Sequence, residues 1–160
     1  MGENRRIGLD YCGVLITPDR VSREGGTIFD DPAPPETHLQ PGVIEAVRTL
    51  QESAGGVWII SKARASLQDP MRAYLEEVEF FSRTGVPPSH LHFCLERDEK
   101  RTRAEEVRLT DFVDDRTAVL ALLDGVVERR FWFSPTAAGE AIPAGVTRVE
   151  SWATLLPQLL

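Results

Sequence analysis

Lysine is nearly missing from this chain. Of 18 basic residues only Lys62 and Lys100 are lysines, so any chemistry that needs an ammonium group has two candidates. Cysteine is equally scarce: Cys12 and Cys94 form neither a disulfide framework nor a zinc-binding spacing, which favours a reduced, cytoplasmic setting. No apolar run approaches the ~18 residues of a membrane span. The N-terminus has no signal-peptide hydrophobic region, and Arg6 stands where a myristoylation motif wants Ser or Thr. Positive charge is not in excess either. With 25 acidic residues the formal net charge is −7, which argues against nucleic acid or an anionic membrane as a non-specific partner. A soluble cytoplasmic protein without a membrane partner is the expectation.

What is present is an ordinary globular composition, 42% hydrophobic and 27% charged, in a 160-residue chain long enough to bury a core as one domain, residues 1–160. Apolar runs alternate with helical periods, the mark of an α/β sheet. IGLDY at 7–11 reads as the first strand. Residues 18–41 contain Gly25-Gly26, Pro32, Pro34-Pro35 and Pro41 and read as a long flap or loop insertion, with room for a small hairpin. Pro41-Gly42 opens a helix with Val43, Val47 and Leu50 on one face. VWII at 57–60 is a continuous apolar run of the kind a buried parallel strand requires. A helix over 67–82, a strand at 91–95, a charged helix at 99–108, a strand at 111–113 and an apolar helix at 116–124 follow. A fifth strand is expected within 126–133, and the last fifteen residues give a short strand and a closing helix. About five parallel strands with right-handed crossovers predict a three-layer, doubly wound, Rossmann-like sheet.

Functional groups in such sheets lie beyond the carboxyl ends of the strands. Here those positions hold Asp10, Ser61 and Asp114-Asp115, with Lys100 opening the helix before the fourth strand. Two or three carboxylates at such a rim suit Mg2+, whose other positions are filled by water and substrate phosphate. Asp10 could then attack phosphorus in line, with Ser61 and Lys100 on the equatorial oxygens.

In order and spacing these residues resemble the haloacid dehalogenase (HAD) superfamily. LDYCGVLIT is similar to its first motif, Asp-x-Asp-Gly-(Val/Thr)-Leu, WIIS to its second, Lys100 to its third and FVDDR to its fourth, while the Pro-Gly-led helix at 41–55 resembles the one that precedes the second motif. The resemblance implies that Asp10 is both nucleophile and metal ligand. It implies that the Cys12 backbone carbonyl and Asp114 also hold the metal and that Asp115 supports the site through hydrogen bonds. The intervals before and after Ser61 are short for a large cap domain. The implied site is open unless the 18–41 segment or another subunit covers it, and open sites in this superfamily go with macromolecular substrates or homo-oligomers.

One position departs from the pattern. Cys12 stands where phosphatases of the superfamily have a second aspartate, which protonates the leaving group and then activates water. Such help is typically worth about 10²–10⁴ in rate. A thiol with an ordinary pKa of about 8.5 beside carboxylates stays protonated and is a poor replacement. Three readings follow: a weak or selective phosphohydrolase or phosphotransferase, a catalytically impaired protein that binds a ligand or partner, and non-phosphatase chemistry at C–halogen or C–P bonds. Lys62, next to Ser61, competes with Lys100 for the phosphate role.

Other features have plainer explanations. His90 and His92 alternate as a metal pair would, but without a third ligand a structural role is expected. Cys94 reads as a small buried hydrophobe. Trp58, Phe131, Trp132, Phe133 and Trp152 are expected in the core or an interface. Arg97, Arg101, Arg103 and the Arg129-Arg130 pair read as solvated surface.

Overall fold

The computed structural model describes residues 4–17, 29, 31–136 and 140–160. Six strands form one sheet: β1 (Ile7–Leu9), β2 (Val57–Lys62), β3 (Leu91–Cys94), β4 (Asp111–Asp114), β5 (Arg129–Phe133) and β6 (Val146–Val149). Their order is β3-β2-β1-β4-β5-β6 and every pairing is parallel. The sixth, β6, is the short strand expected within the last fifteen residues, and it joins at its edge the sheet expected to hold about five. β6 pairs with β5 from Arg130–Val146 to Phe133–Val149, although only Val149 of its four residues is buried. A strand exposed at the sheet edge carries little of the apolar signal by which buried strands announce themselves.

The helices are α1 (Val43–Ser53), α2 (Ala65–Glu77), α3 (Phe80–Thr84), α4 (Glu99–Glu106), α5 (Thr117–Leu122) and α6 (Trp152–Leu159). Strand alternation divides the core into two layers. Ile7, Leu9, Ile59, Val113 and Phe131 pack with α1, α2, α3 and α6, whereas Trp58, Ile60, Phe112 and Trp132 pack with α4 and α5. Gly8 faces the second layer because no side chain fits there: a Cβ would lie 2.5 Å from Leu109 Cδ1 and 2.6 Å from Phe112 Cδ2.

The single helix expected over 67–82 is two. Glu79 adopts φ 58°, so the chain leaves α2 after Glu77 and re-enters as α3, burying both Val78 and Phe80. Arg130 also corrects its surface reading. It is buried and bonded to the Leu120 carbonyl at 2.7 Å and to Asp124 at 3.0 Å. His90 is structural, stacking on Trp58 at 4.3 Å between ring centroids and pairing its Nδ1 with the Val57 carbonyl at 2.9 Å. The five aromatic residues expected inside, and Cys94, are buried.

Much of the expected flap, residues 18–28 and 30, lies outside the described residues. Its base is described: Ile16 pairs antiparallel with Leu39, the Thr17 N–H donates to the His38 carbonyl at 2.8 Å, and the Gln40 N–H donates to Leu15 at 2.8 Å. No helix among the described residues is long and apolar enough to cross a membrane.

Candidate active site

β1 lies at the centre, between β2 and β4, and the connections run away from it in opposite directions. This leaves a crevice at the carboxyl ends of β1 and β4, where ligands bind in doubly wound sheets. Asp10 follows β1 immediately and its N–H donates to the Val113 carbonyl at 2.9 Å, fixing it against β4. Asp114 is the last residue of β4 and Asp115 the next. Ser61 lies one residue before the end of β2. Lys100, in the first turn of α4, reaches into the same place.

The turn after β1 is anchored from both sides. Tyr11 donates its hydroxyl to the Met71 carbonyl of α2 at 2.9 Å, and Trp152 of α6 donates its indole N–H to the Val14 carbonyl at 2.9 Å. Gly13 takes φ 88°, which a side chain rarely adopts, and lies against Asp115. The Gln40 side-chain amide donates to the Gly13 carbonyl at 3.1 Å. These hydrogen bonds fix the turn that carries Asp10 and Cys12.

Lys100 Nζ donates to Asp10 Oδ1 at 3.0 Å and to Asp114 Oδ2 at 2.9 Å. All three side chains are buried. Burial alone would lower the lysine pKa, but the two carboxylates more than reverse this and hold it above its ordinary value. This explains why a cation stands at a helix N-terminus, against the macrodipole. Asp114 Oδ1 also accepts the Arg116 N–H at 2.9 Å, so one carboxylate both caps the following turn and faces the cluster.

Asp10, Asp114 and Asp115 each place a carboxylate oxygen within 4.8 Å of the other two. Desolvation first, and then the charges of neighbouring carboxylates, push Asp114 and Asp115 well above the usual carboxylate range. Asp115 Oδ1 is buried with no hydrogen-bond partner among the described residues. A buried carboxyl oxygen left unpaired inside a cluster of three carboxylates is costly, and the three together form a donor set that fits a hard divalent ion such as Mg2+.

Cys12 is exposed at the mouth of the site. The groups packed around it push its thiol up to about 12, first by excluding water and then through the charges of Asp10 and Asp115. Ser61 is buried, and its hydroxyl has no partner among the described residues.

Asp10, Cys12, Ser61, Lys100 and Asp115 line one pocket of about 560 Å³. Its outer wall carries Lys62, Arg64, Arg97 and Arg116, of which Arg64 and Arg116 have no counterpart in the sequence expectations. Nothing in composition separates an exposed arginine at a strand or helix end from any other; only the fold brings these four together. Lys62 stands exposed on that wall while Lys100 touches Asp10. Arg101 and Arg103 turn elsewhere, to the Leu122 carbonyl and to Glu106. A second pocket, of about 430 Å³ beside Phe29 and Tyr74, lies apart from the carboxylates.

An all-parallel doubly wound sheet with carboxylates gathered after its first and fourth strands defines a haloacid dehalogenase-like fold. A haloacid dehalogenase-like hydrolase of Burkholderia xenovorans LB400 matches with TM-score 0.69 and 14% identity, over 97% of this chain and 96% of its own. A haloacid dehalogenase-like family hydrolase of Xanthomonas campestris matches with TM-score 0.67 and 12% identity, over 99% and 96%. DsGPDH of Dunaliella salina matches with TM-score 0.65 and 18% identity over 98% of this chain, which spans 29% of that larger one. At these identities the likeness is one of fold. No protein-family model matches the sequence, and no curated protein does.

Proposed function

We propose that this single-domain protein is a Mg2+-dependent phosphohydrolase or phosphotransferase acting through an aspartyl-phosphate at Asp10, selective for leaving groups that need little protonation. The observation that carries the reading is Lys100 Nζ held between Asp10 Oδ1 and Asp114 Oδ2 beside the orphaned Asp115 oxygen. A structural ion pair needs only one carboxylate, and a third with an unsatisfied buried oxygen reads as a site kept for a cation.

Asp10, Asp114, Asp115 and the Cys12 carbonyl would hold Mg2+, which would offset the repulsion between the carboxylates and an incoming phosphate dianion. Asp10 attacks phosphorus. Ser61 donates its free hydroxyl to one equatorial oxygen and Lys100 its ammonium to another, so both act where charge redistributes. Cys12 cannot serve as acid or base near neutral pH, which removes about 3–5 kcal/mol of barrier lowering. Acyl phosphates, phenolic phosphates and phosphoanhydrides tolerate that loss, because their leaving groups depart as stable anions. The same substitution supports a second reading, a site that binds a phosphorylated ligand or partner without turning it over. The superfamily's non-phosphatase branches fit less well, because the exposed Lys62, not a buried amine, would have to form the imine of C–P chemistry, and C–halogen chemistry has no use for the metal cluster.

The test is a Mg2+-dependent panel of acyl, phenolic and alkyl phosphates with wild type and Asp10→Asn. Turnover of the first two that disappears in Asp10→Asn, with an acid-stable, base-labile phosphoprotein trapped in wild type, is expected. Turnover that survives Asp10→Asn would overturn the mechanism, and Mg2+-dependent phosphate binding without turnover would favour the binding reading.

A further inference from the structure

The outer wall of the pocket carries four cations, Lys62, Arg64, Arg97 and Arg116. None has a carboxylate partner among the described residues. Acidic residues outnumber basic ones 25 to 18, and even solvent-facing arginines such as Arg83, Arg101, Arg103 and Arg148 find a carboxylate. Arg6, Arg48, Arg72 and Arg108 also lack one, but none of these lines this pocket.

Lys100 and one divalent cation would already balance Asp10, Asp114 and Asp115, with Ser61 and Lys100 left for the phosphoryl group. The four wall cations are in excess of what a single phosphate requires. Four like charges around one cavity repel one another, and an acid-rich chain had many residues with which to pair them. Their arrangement is complementary to a second anionic group beyond the one that Asp10 attacks.

Resting on the phosphoryl-transfer reading, we propose that the substrate is a phosphoanhydride, its terminal phosphoryl group seated at Asp10 and its inner phosphate held by Arg97, Arg116, Arg64 and Lys62. An anhydride meets both peculiarities of the site. Its leaving group is itself anionic, matching the wall, and departs without needing the proton that an aspartate in place of Cys12 would give. In the first step an Asp10 carboxylate oxygen bonds to the terminal phosphorus while the bridging P–O bond breaks, its electron pair leaving on the inner phosphate. In the second, water adds to the same phosphorus, the Asp10 O–P bond breaks with its electron pair returning to the carboxylate, and both water protons depart with the released phosphate.

The experiment compares equilibrium binding of methylenebisphosphonate, a non-hydrolysable anhydride analogue, with that of methylphosphonate at constant free Mg2+, in the full chain and in Arg97→Ala/Arg116→Ala. The bisphosphonate is expected to bind wild type at least about tenfold more tightly, a preference that shrinks to about twofold in the double variant while methylphosphonate affinity stays within about threefold. Both variant positions are on the pocket wall, and circular dichroism confirms that the variant is folded. Equal binding of the two ligands to wild type, a preference that survives in the variant, or no binding of either overturns the proposal. A third arm, the α,β-methylene analogue of a nucleoside diphosphate, separates sources: tighter binding than the bisphosphonate identifies an organic diphosphate, weaker binding identifies inorganic pyrophosphate, and either supports the anhydride. Because binding is read without turnover, a wild type that prefers the bisphosphonate yet cleaves nothing would sink the hydrolase reading and leave the anhydride preference standing.

Discussion

Gly13 and Asp115 are packed so closely that a side chain on one would displace the other: a Cβ built on Gly13 lies 2.5 Å from Asp115 Cγ. Gly13 is also at φ 88°, where alanine is strained. Gly13→Ala must therefore move either the turn that carries Asp10 and Cys12 or the Asp115 carboxylate. Mg2+ affinity, read by titration calorimetry, is expected to fall about 10–100-fold, the range seen when groups that orient metal ligands are lost. An unchanged affinity would show that Asp115 takes no part in the metal site.

Lys100 makes a different kind of contribution. Its removal leaves Asp10 and Asp114 buried and facing each other with no counter-charge, and breaking a buried pair by deleting one partner typically costs about 3–5 kcal/mol. Lys100→Met is expected to lose stability of that order in chelator-treated protein, measured by urea unfolding. Mg2+ should restore more stability to the variant than it adds to wild type, because the metal takes over the neutralising role. Equal Mg2+ effects on both proteins would show that lysine and metal act on separate charges.

The raised pKa values of Asp114 and Asp115 have a consequence with a definite sign. Between the ordinary carboxylate value near 4 and the raised values, the folded protein binds more protons than the unfolded chain, so metal-free stability rises as pH falls. Lys100, whose pKa is raised above an already high value, stays charged throughout and adds no slope. Thermal unfolding of metal-free protein between about pH 8 and about pH 5 should therefore show an increase in midpoint on acidification. Saturating Mg2+ should flatten or reverse it, since protons and metal compete for the same oxygens. A metal-free midpoint that falls steadily on acidification would contradict the crowding of these carboxylates.

What could be read from the sequence follows from where burial leaves a mark. β1, β2 and β4 are buried on both faces, so their apolar runs locate them, and the residues just after those runs, Asp10, Ser61 and Asp114, come with them. Lys100 was legible because its position at a helix start is electrostatically awkward unless carboxylates compensate. β6 leaves a fainter mark, since three of its four residues are not fully buried, yet the short strand expected in the last fifteen residues falls on it. The break between α2 and α3 was hidden because Glu79, a good helix former, takes a left-handed conformation that only the burial of Val78 and Phe80 explains. The wall cations Arg64, Arg97 and Arg116 could not be gathered in advance. They come from the ends of β2, β3 and β4, and their common property, lining one pocket, exists only once the chain is folded.

Cys12 offers the most direct intervention. The proton needed by a poor leaving group has no donor in the present site, since the thiol is pushed up to about 12 and stays protonated as a weak acid. Cys12→Asp places a carboxyl group beside Asp10 and Asp115, whose charges would raise its pKa toward the value a general acid needs at neutral pH. The variant is expected to hydrolyse alkyl phosphates about 10²–10⁴-fold faster than wild type, while acyl phosphates, which need no proton, change by less than about tenfold. Cys12→Ser serves as the control: it alters size and polarity little and should accelerate neither substrate. The fourth carboxylate also adds repulsion, so the metal-free variant should be less stable than wild type and recover on Mg2+ addition. If alkyl phosphates gain nothing while Mg2+ still binds, the residue at position 12 does not face the leaving group, and selectivity must then come from the charged wall of the pocket.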